Sequence, residues 1–168
     1  AMELQKELVW RARQGDAKAF AELYRGIYQD LYRFALYTLK HSQDAEDAVG
    51  DAVMDAWKGI RKLKNEEAFR SWIFRILACK CRRKLKSYRN REIELTEDLE
   101  SQDREIGEDL DVREAFFRLS GEERMILALN LFAGYSSREI GTFLEEKDST
   151  VRSKQRRALQ KMRTWLGD

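Results

Sequence analysis

The side chains best suited to bind a partner lie near the C-terminus, on a segment with one cationic face. Arginine can donate two hydrogen bonds to guanine O6 and N7, and serine or glutamine can read other base edges in the major groove. Such donors recur at helical spacing on this segment, at Arg152, Ser153, Arg156, Gln160 and Arg163. The opposite side carries apolar residues that predict a packed face: Val151, Ala158, Leu159, Met162 and Leu166. The pattern predicts duplex DNA as the ligand, with a solvated basic face as the alternative.

A shorter helix is predicted just before this basic one. Ser136 stands three residues before Glu139, which is the spacing of a capping box. An apolar stripe of Ile140, Phe143 and Leu144 follows, and Asp148 or Ser149 can cap the next helix. The segment from 134 to 163 is therefore predicted to be a helix-turn-helix, whose second helix enters the major groove.

Residues suited to catalysis are scarce. His41 is the single histidine, and the sequence holds no glycine-rich phosphate loop. Cys79 and Cys81 are two residues apart on a predicted helix, so their thiols point in different directions and are poorly placed to share a metal or a bridge. We expect no catalytic residue, no metal and no cofactor, and a reducing cytoplasm as the location.

The composition indicates an all-α fold. The chain of 168 residues has no proline and only nine glycines, which permits long helices, and no strand-like alternation is sustained. Its apolar runs are too short for direct insertion into a membrane. Charge divides the sequence: residues 1–91 carry net +8, residues 92–111 net −9 and residues 112–168 net +3. We predict two small helical domains, 1–91 and 112–168, joined by an acidic linker at 92–111.

The N-terminal domain is expected to contain three to four helices. Helical patterns run from about Asp16 to Leu39 and from about Asp44 to Ile60. The second pattern exposes an acidic stripe of Asp47, Asp51 and Asp55, spaced so that like charges repel. A helix that accepts this repulsion could present the stripe to a basic partner. The alternative is that the stripe is an ordinary solvated face.

The third pattern, from about Asn65 to Arg91, changes character along its length. It begins with apolar and aromatic residues, including Phe69 and Trp72, and ends with seven cations among its last twelve residues. Rings beside such a stretch can stack on unpaired bases while the cations follow the backbone. The alternative is that these rings belong to the core.

Several motifs, taken together in order, resemble those of bacterial extracytoplasmic-function sigma factors. They are Gly15-Asp16 with Ala19-Phe20, Asp44-Ala45-Glu46-Asp47-Ala48-Val49, Ser71-Trp72-Ile73-Phe74-Arg75-Ile76, Leu119-Ser120 with Glu123-Arg124, Gly134-Tyr135-Ser136 with Glu139-Ile140, and Thr150-Val151-Arg152-Ser153. The resemblance implies sigma region 2 in the first domain and sigma region 4 in the second.

The resemblance also implies partners and site residues. Core RNA polymerase would be a partner through its clamp helices and its flap, with the clamp helices meeting Asp47, Asp51, Asp55 and Trp57. The minus-10 promoter element would be opened and read by the stretch from Lys62 to Arg83, with Lys64, Trp72, Arg75, Lys80, Arg82 and Arg83 as contacts. The minus-35 element would meet Thr150, Arg152, Ser153, Arg156, Arg157 and Gln160. The linker would thread the polymerase cleft, and an anti-sigma factor, often membrane-anchored in this family, would restrain the protein.

Three positions depart from the family pattern and bear on promoter choice. Cys79 stands where members often carry asparagine, and Gln155 stands where an apolar residue is usual. Glu145-Glu146-Lys147 replaces the usual turn. A free-standing helix-turn-helix regulator is the alternative class, and it would bind duplex DNA without polymerase.

Overall fold

A computed structural model describes residues 2–91 and 110–167, and this part of the chain is helical without any strand. The first four helices are α1 (Met2–Arg13), α2 (Ala17–Leu39), α3 (Ser42–Gly59) and α4 (Phe69–Arg91). Short 3-10 turns at Ile60–Lys62 and Glu66–Ala68 join α3 to α4. The last four are α5 (Leu110–Arg118), α6 (Gly121–Leu131), α7 (Ser137–Leu144) and α8 (Asp148–Trp165). The predicted all-α fold is confirmed.

Local capping sets the ends of the N-terminal helices. The Asp16 carboxylate accepts hydrogen bonds from the backbone N–H groups of Lys18 and Ala19, at 3.1 and 3.2 Å, and so begins α2. Lys40 ends α2 in the left-handed conformation, with φ of 63°. The Nδ1 of His41 then accepts from the N–H of Asp44 at 3.3 Å, so the single histidine caps the N-terminus of α3.

The N-terminal half is built on α2, α3 and α4. Phe34 and Phe74 meet edge to face with ring centroids 5.9 Å apart. Alanines at three- and four-residue steps let α3 approach its neighbours closely, and they are Ala45, Ala48, Ala52 and Ala56. Helix α1 was not predicted separately, and it covers one side of this bundle with Leu8 and Val9.

The C-terminal half is α5 to α8, with two capping boxes. At the start of α6, the side chains of Ser120 and Glu123 each accept a hydrogen bond from the backbone N–H of the other residue. Ser136 and Glu139 form the same pair of bonds at the start of α7. The second of these confirms the predicted box. Leu110 and Asp111 form the first turn of α5, and the remainder of the predicted linker, 92–109, lies outside the described residues.

The two halves pack against each other through a continuous apolar core. Tyr37 of α2 contacts the rings of Phe116, Phe117 and Phe132, at centroid distances between 5.1 and 5.3 Å. Helices α2 and α4 of the first half contact α6 of the second. We call this contact zone the seam.

Candidate nucleic-acid interface

Helix α8 presents most of the predicted donors on one side. Arg152, Arg156, Arg157 and Gln160 are exposed, while Thr150 and Ser153 are half-buried. Val151, Ala158 and Met162 form the packed side. The prediction that Leu159 packs inward is wrong, because this side chain is 50% exposed. It lies about 100° around the helix from Ala158, toward the cationic face.

The turn between α7 and α8 is held by backbone geometry. Glu145 adopts φ of 59°, in the left-handed region, and its N–H bonds back to the carbonyl of Gly141. A Cβ on Gly141 would lie 2.6 Å from the carbonyl oxygen of Glu146, so this position requires glycine. The N-cap of α8 is Lys147, without a side-chain cap. Asp148 was predicted to cap this helix, as was Ser149, but its carboxylate instead accepts from the Ser137 hydroxyl.

Two lysines of α8 form ion pairs with glutamates of the preceding elements. Lys154 bonds Glu122 at 2.7 Å and Glu146 at 2.6 Å, and these hydrogen bonds raise the pKa of the lysine. Lys161 bonds Glu123 at 2.7 Å. Because these pairs tie α8 to α6 and to the turn, the lysines hold the orientation of the helix. On its outer side Arg156 and Arg157 are exposed, and the exposed Arg152 donates to Asp148 at 3.4 Å.

The predicted nucleic-acid residues of α4 differ in their surroundings. Arg75, Arg82 and Arg83 are exposed, as is Lys64 in the preceding loop. Trp72 is half-buried: its ring lies 6.2 Å from that of Phe69, and a Cβ on Gly59 would contact it at 3.6 Å. The tryptophan therefore has a packing role on one side and an accessible portion on the other.

The acidic stripe lies on the exposed face of α3, as predicted, but one member has an internal partner. Asp55 bonds Lys80 at 2.5 Å, and this hydrogen bond lowers the pKa of the carboxyl. Asp47 accepts from Gln43, and Asp51 is exposed. Trp57 is half-buried, with its ring 5.2 Å from that of Phe20. Asp55 and Lys80 were predicted to meet different partners, yet the structure places them together.

The remaining reactive side chains are the two cysteines, which both lie on α4. Cys81 is buried, which raises the pKa of its thiol, and Cys79 is half-buried on the same helix. Among the described residues, no group of three potential metal ligands gathers in one place. Within the same ranges, no helix combines the length and apolar character needed to cross a bilayer.

Sequence reasoning missed the polar contacts across the seam. Arg124 and Tyr135 of the C-terminal half donate to the backbone oxygens of Thr38 and Ser71, and Arg70 donates to that of Phe132. Since the acceptors are backbone carbonyls, which every residue carries, no pattern of residue types could have indicated these pairs.

Comparison with known proteins agrees with this arrangement of two helical halves. Residues 23–91 match the family model of sigma-70 region 2, and residues 115–164 match that of sigma-70 region 4. RNA polymerase sigma factor SigV of Bacillus subtilis is 31% identical to this chain over an alignment that covers 82% of this chain and 85% of SigV. ECF RNA polymerase sigma factor SigM of Mycobacterium tuberculosis is 29% identical over an alignment that covers 91% of this chain and 80% of SigM.

Two solved structures share the fold. CnrH, in complex with the cytosolic domain of CnrY, superposes with a TM-score of 0.70 at 23% identity and covers 97% of both chains. Sigma factor RpoE of Bartonella quintana, in complex with the anti-sigma factor NepR, superposes with a TM-score of 0.69 at 23% identity. The superposition covers 89% of this chain and 98% of the RpoE chain.

The chain belongs to the sigma-70 family of RNA polymerase sigma factors, in the extracytoplasmic-function class. It is thus a transcription initiation factor. A free-standing helix-turn-helix regulator is not favoured, because the chain matches both the region 2 model and the region 4 model.

Proposed function

We propose that this protein binds core RNA polymerase through α3, opens and reads the minus-10 element with α4, and reads the minus-35 element with α8. The observation that carries the proposal is the presence, in one chain, of three exposed polar faces of matching chemistry. These are an acidic face on α3, a cationic face beside aromatic rings on α4, and an arginine-rich face on a helix-turn-helix.

The docking role of α3 rests on charge and exposure. Asp47, Asp51 and Asp55 follow one another at four-residue steps on its solvent face, and Trp57 lies half-buried one turn beyond Val53. A basic helix pair in the polymerase clamp would meet negative charge with an aromatic anchor beside it. Such complementarity accelerates association and fixes orientation.

The promoter-opening role belongs to the loop before α4 and its outer face. Lys64, Arg83 and the accessible part of Trp72 lie where a displaced strand could run, with Arg75 and Arg82 on a neighbouring ridge. A base taken out of the duplex can stack on an aromatic ring while cations neutralise the phosphates. Lys80 reinforces α3 through Asp55, and we assign it phosphate binding only as a secondary role.

The upstream reader is the first half of α8. Arg152 and Arg156 are exposed one turn apart, and Ser153 and Thr150 border them. Arg157 and Gln160 extend the same side. Recognition helices of this kind contact base edges in the major groove with their N-terminal residues. We infer that Arg152 and Arg156 specify bases.

We also infer restraint by an anti-sigma factor, and action in the cytoplasm. A groove of about 730 Å³ runs along the seam between α4 and α6, and its lining includes Leu85, Tyr88, Met125 and Leu144 together with the exposed Arg82, Arg89 and Glu122. Apolar walls beside two exposed arginines suit an amphipathic helix bearing carboxylates. The two structural neighbours were solved with partners named CnrY and NepR, which supports a partner of that kind here.

Reconstitution with bacterial core polymerase tests the function. We expect the protein to bind core polymerase with measurable affinity and to select transcripts from a library of randomised promoters. The selected sequences should share two short elements separated by a fixed spacing. Absence of binding to core polymerase at low and moderate salt would contradict the proposal, and equal binding to duplex DNA with or without polymerase would favour the free-standing regulator.

A further inference from the structure

Trp10 of α1 is the most exposed of the four tryptophans of the protein. The residue is 55% exposed, whereas Trp57, Trp72 and Trp165 are half-buried. A tryptophan ring offers a flat apolar face on which a base can stack. Because single exposed rings are common on protein surfaces, the neighbours of Trp10 decide whether it has a role.

Two ion pairs place Trp10 beside the loop that joins α3 to α4. Lys6 Nζ lies 2.6 Å from Glu67 Oε1. Arg13 Nη1 lies 3.6 Å from Glu66 Oε1, and both glutamates belong to the second 3-10 turn of the loop. Lys6 is one turn before Trp10 and Arg13 is one turn after it, so the three side chains share a sector of about 60° on α1. The exposed tryptophan therefore lies between two contacts that hold α1 against the loop.

A depression with cationic walls lies at the C-terminal end of α1. Its volume is about 400 Å³, and its lining includes Arg13, Gln14 and Arg61. Lys62 and Lys64, which follow Arg61 in the loop, are exposed. Guanidinium and ammonium groups donate to phosphate oxygens, and the amide of Gln14 can donate or accept at a base or a sugar. This side of α1 thus combines a stacking ring with donors for a nucleic-acid backbone.

Cations outnumber carboxylates around Trp10. The carboxylates of Glu66 and Glu67 are already paired with α1. That of Glu7 is about 60° around the helix from Trp10, on the side away from the loop. The cations of α1 and the adjoining loop are Lys6, Arg13, Arg61, Lys62 and Lys64. This balance favours an anionic partner over a basic protein surface.

The loop connects Trp10 to the surface proposed to open the minus-10 element. Helix α1 contacts both 3-10 turns of the loop. Lys64 belongs to the proposed opening surface, and Arg61, three residues before it, lines the depression beside α1. Three residues span at most about 11 Å, which is roughly three nucleotides at the rise of B-DNA. A strand held at Lys64 is therefore within a few nucleotides of Trp10.

We propose that Trp10, Arg13, Gln14 and Arg61 form a second contact for the single strand of an opened promoter, in which a base flanking the minus-10 element stacks on Trp10. This inference rests on the proposed role of α4 in promoter opening and extends the strand path to α1. Stacking accepts any base, because every base has a π-face. The contact therefore strengthens the hold on the opened strand without adding a sequence requirement.

Holoenzyme reconstituted from the full chain and core polymerase tests this contact. One probe is a single-stranded oligonucleotide with the selected minus-10 element between thymidine flanks, and a second carries abasic residues in those flanks. Fluorescence anisotropy measures the affinity for each probe. Trp10→Ala removes the ring, and Trp10→Phe keeps a smaller one. Leu4→Ala is the matched control, since Leu4 is 57% exposed on the same helix.

Trp10→Ala should weaken binding of the thymidine-flanked probe by about 5- to 150-fold, which is the contribution of one stacked base. Trp10→Phe should recover part of this loss. All variants should bind the abasic-flanked probe as the wild type does, because no flanking base remains to stack. Leu4→Ala should match the wild type with both probes.

Arg61→Ala tests the phosphate contact separately. It should lower the slope of log affinity against log salt concentration by about 0.7 for the thymidine-flanked probe. Arg25→Ala, at an exposed position of α2 outside the loop, should leave the slope unchanged. Equal slopes for the two variants would remove Arg61 from the contact.

Two results would overturn the role of Trp10: equal affinities of Trp10→Ala and Leu4→Ala for the thymidine-flanked probe, or an equal loss with both probes, which would make Trp10 a structural residue. Failure of the proposed function has a different signature. Wild-type holoenzyme would then fail to bind even the abasic-flanked probe, which still carries the minus-10 element, and the second contact would fall with it.

Discussion

Arg124 of α6 donates two hydrogen bonds to the backbone oxygen of Thr38 in α2, and its Nη1 donates a third, at 2.5 Å, to that of Leu119. Burial lowers the pKa of the guanidinium to about 10, which leaves it charged at neutral pH. One side chain thus satisfies carbonyls on both sides of the seam.

Arg124→Met should therefore destabilise the chain by about 1–3 kcal/mol, because it leaves two buried carbonyls without a donor while preserving the length of the side chain. Urea unfolding followed by circular dichroism measures the loss. Arg61→Met is the matched control, since Arg61 is exposed in a 3-10 turn and should change stability little. Equal stability of the two variants would show that the Arg124 bonds contribute nothing net.

The sequence was informative wherever a rule acts over a few residues. The capping box of Ser136 and Glu139, the N-terminus of α2 at Asp16 and the buried alanines of α3 follow from local spacing, and all are present. The exposed arginines of α8 follow from the same periodicity. Leu159 shows its limit, since a residue at the edge of an apolar face can lie on either side.

Contacts across long sequence separations could not be predicted. Arg124 is 86 residues from Thr38, and Tyr135 is 64 residues from Ser71. An arginine that bonds a distant carbonyl is indistinguishable in sequence from one that binds phosphate. The pairing of Asp55 with Lys80 was hidden for the same reason, as each charge matched a plausible external partner.

Gly141→Ala should disturb the helix-turn-helix. The added Cβ would lie 2.6 Å from the carbonyl oxygen of Glu146, and a backbone atom cannot rotate away as a side chain can. We expect a loss of about 1–3 kcal/mol from the strain and weaker binding to duplex DNA. Gly50→Ala is the control: it has open space around it within α3 and should stabilise the chain by about 0.5–1 kcal/mol. Thermal melting and duplex titration measure the two effects, and equal behaviour of the variants would contradict the steric argument.

Acid should weaken the start of α2 through Asp16. Hydrogen bonds from the N–H of Ala19 and from Arg11 hold the pKa of this carboxyl below its usual value. A lowered pKa in the folded state means that the stabilisation is present above about pH 4 and is lost as pH falls further. Asp16→Asn keeps a cap but removes the charge, so its deficit relative to wild type should shrink between pH 5 and pH 2. Urea midpoints across that range measure it, and a deficit independent of pH would contradict the assignment.

Asp51→Lys should weaken association with core polymerase by roughly tenfold at low salt, and the effect should shrink as salt rises, because exposed charges are screened. Glu7→Lys makes the same charge change on the exposed side of α1 and should leave association unchanged. Surface plasmon resonance with immobilised core polymerase gives both rates. Identical affinities for the two variants would show that the acidic stripe is an ordinary solvated face without a docking role.

Arg156 and Lys154 are neighbours on α8 that should respond in opposite ways. Arg156→Ala should cost about 1–3 kcal/mol at particular base pairs of the upstream element and little in stability, since the side chain is exposed and directed outward. Lys154→Ala should lower the melting temperature, because it removes the bonds to Glu122 and Glu146, and should weaken binding to all sequences alike. Selection from a randomised upstream element, combined with thermal melting, separates the two roles. A uniform loss of affinity for Arg156→Ala would instead make Arg156 a phosphate contact.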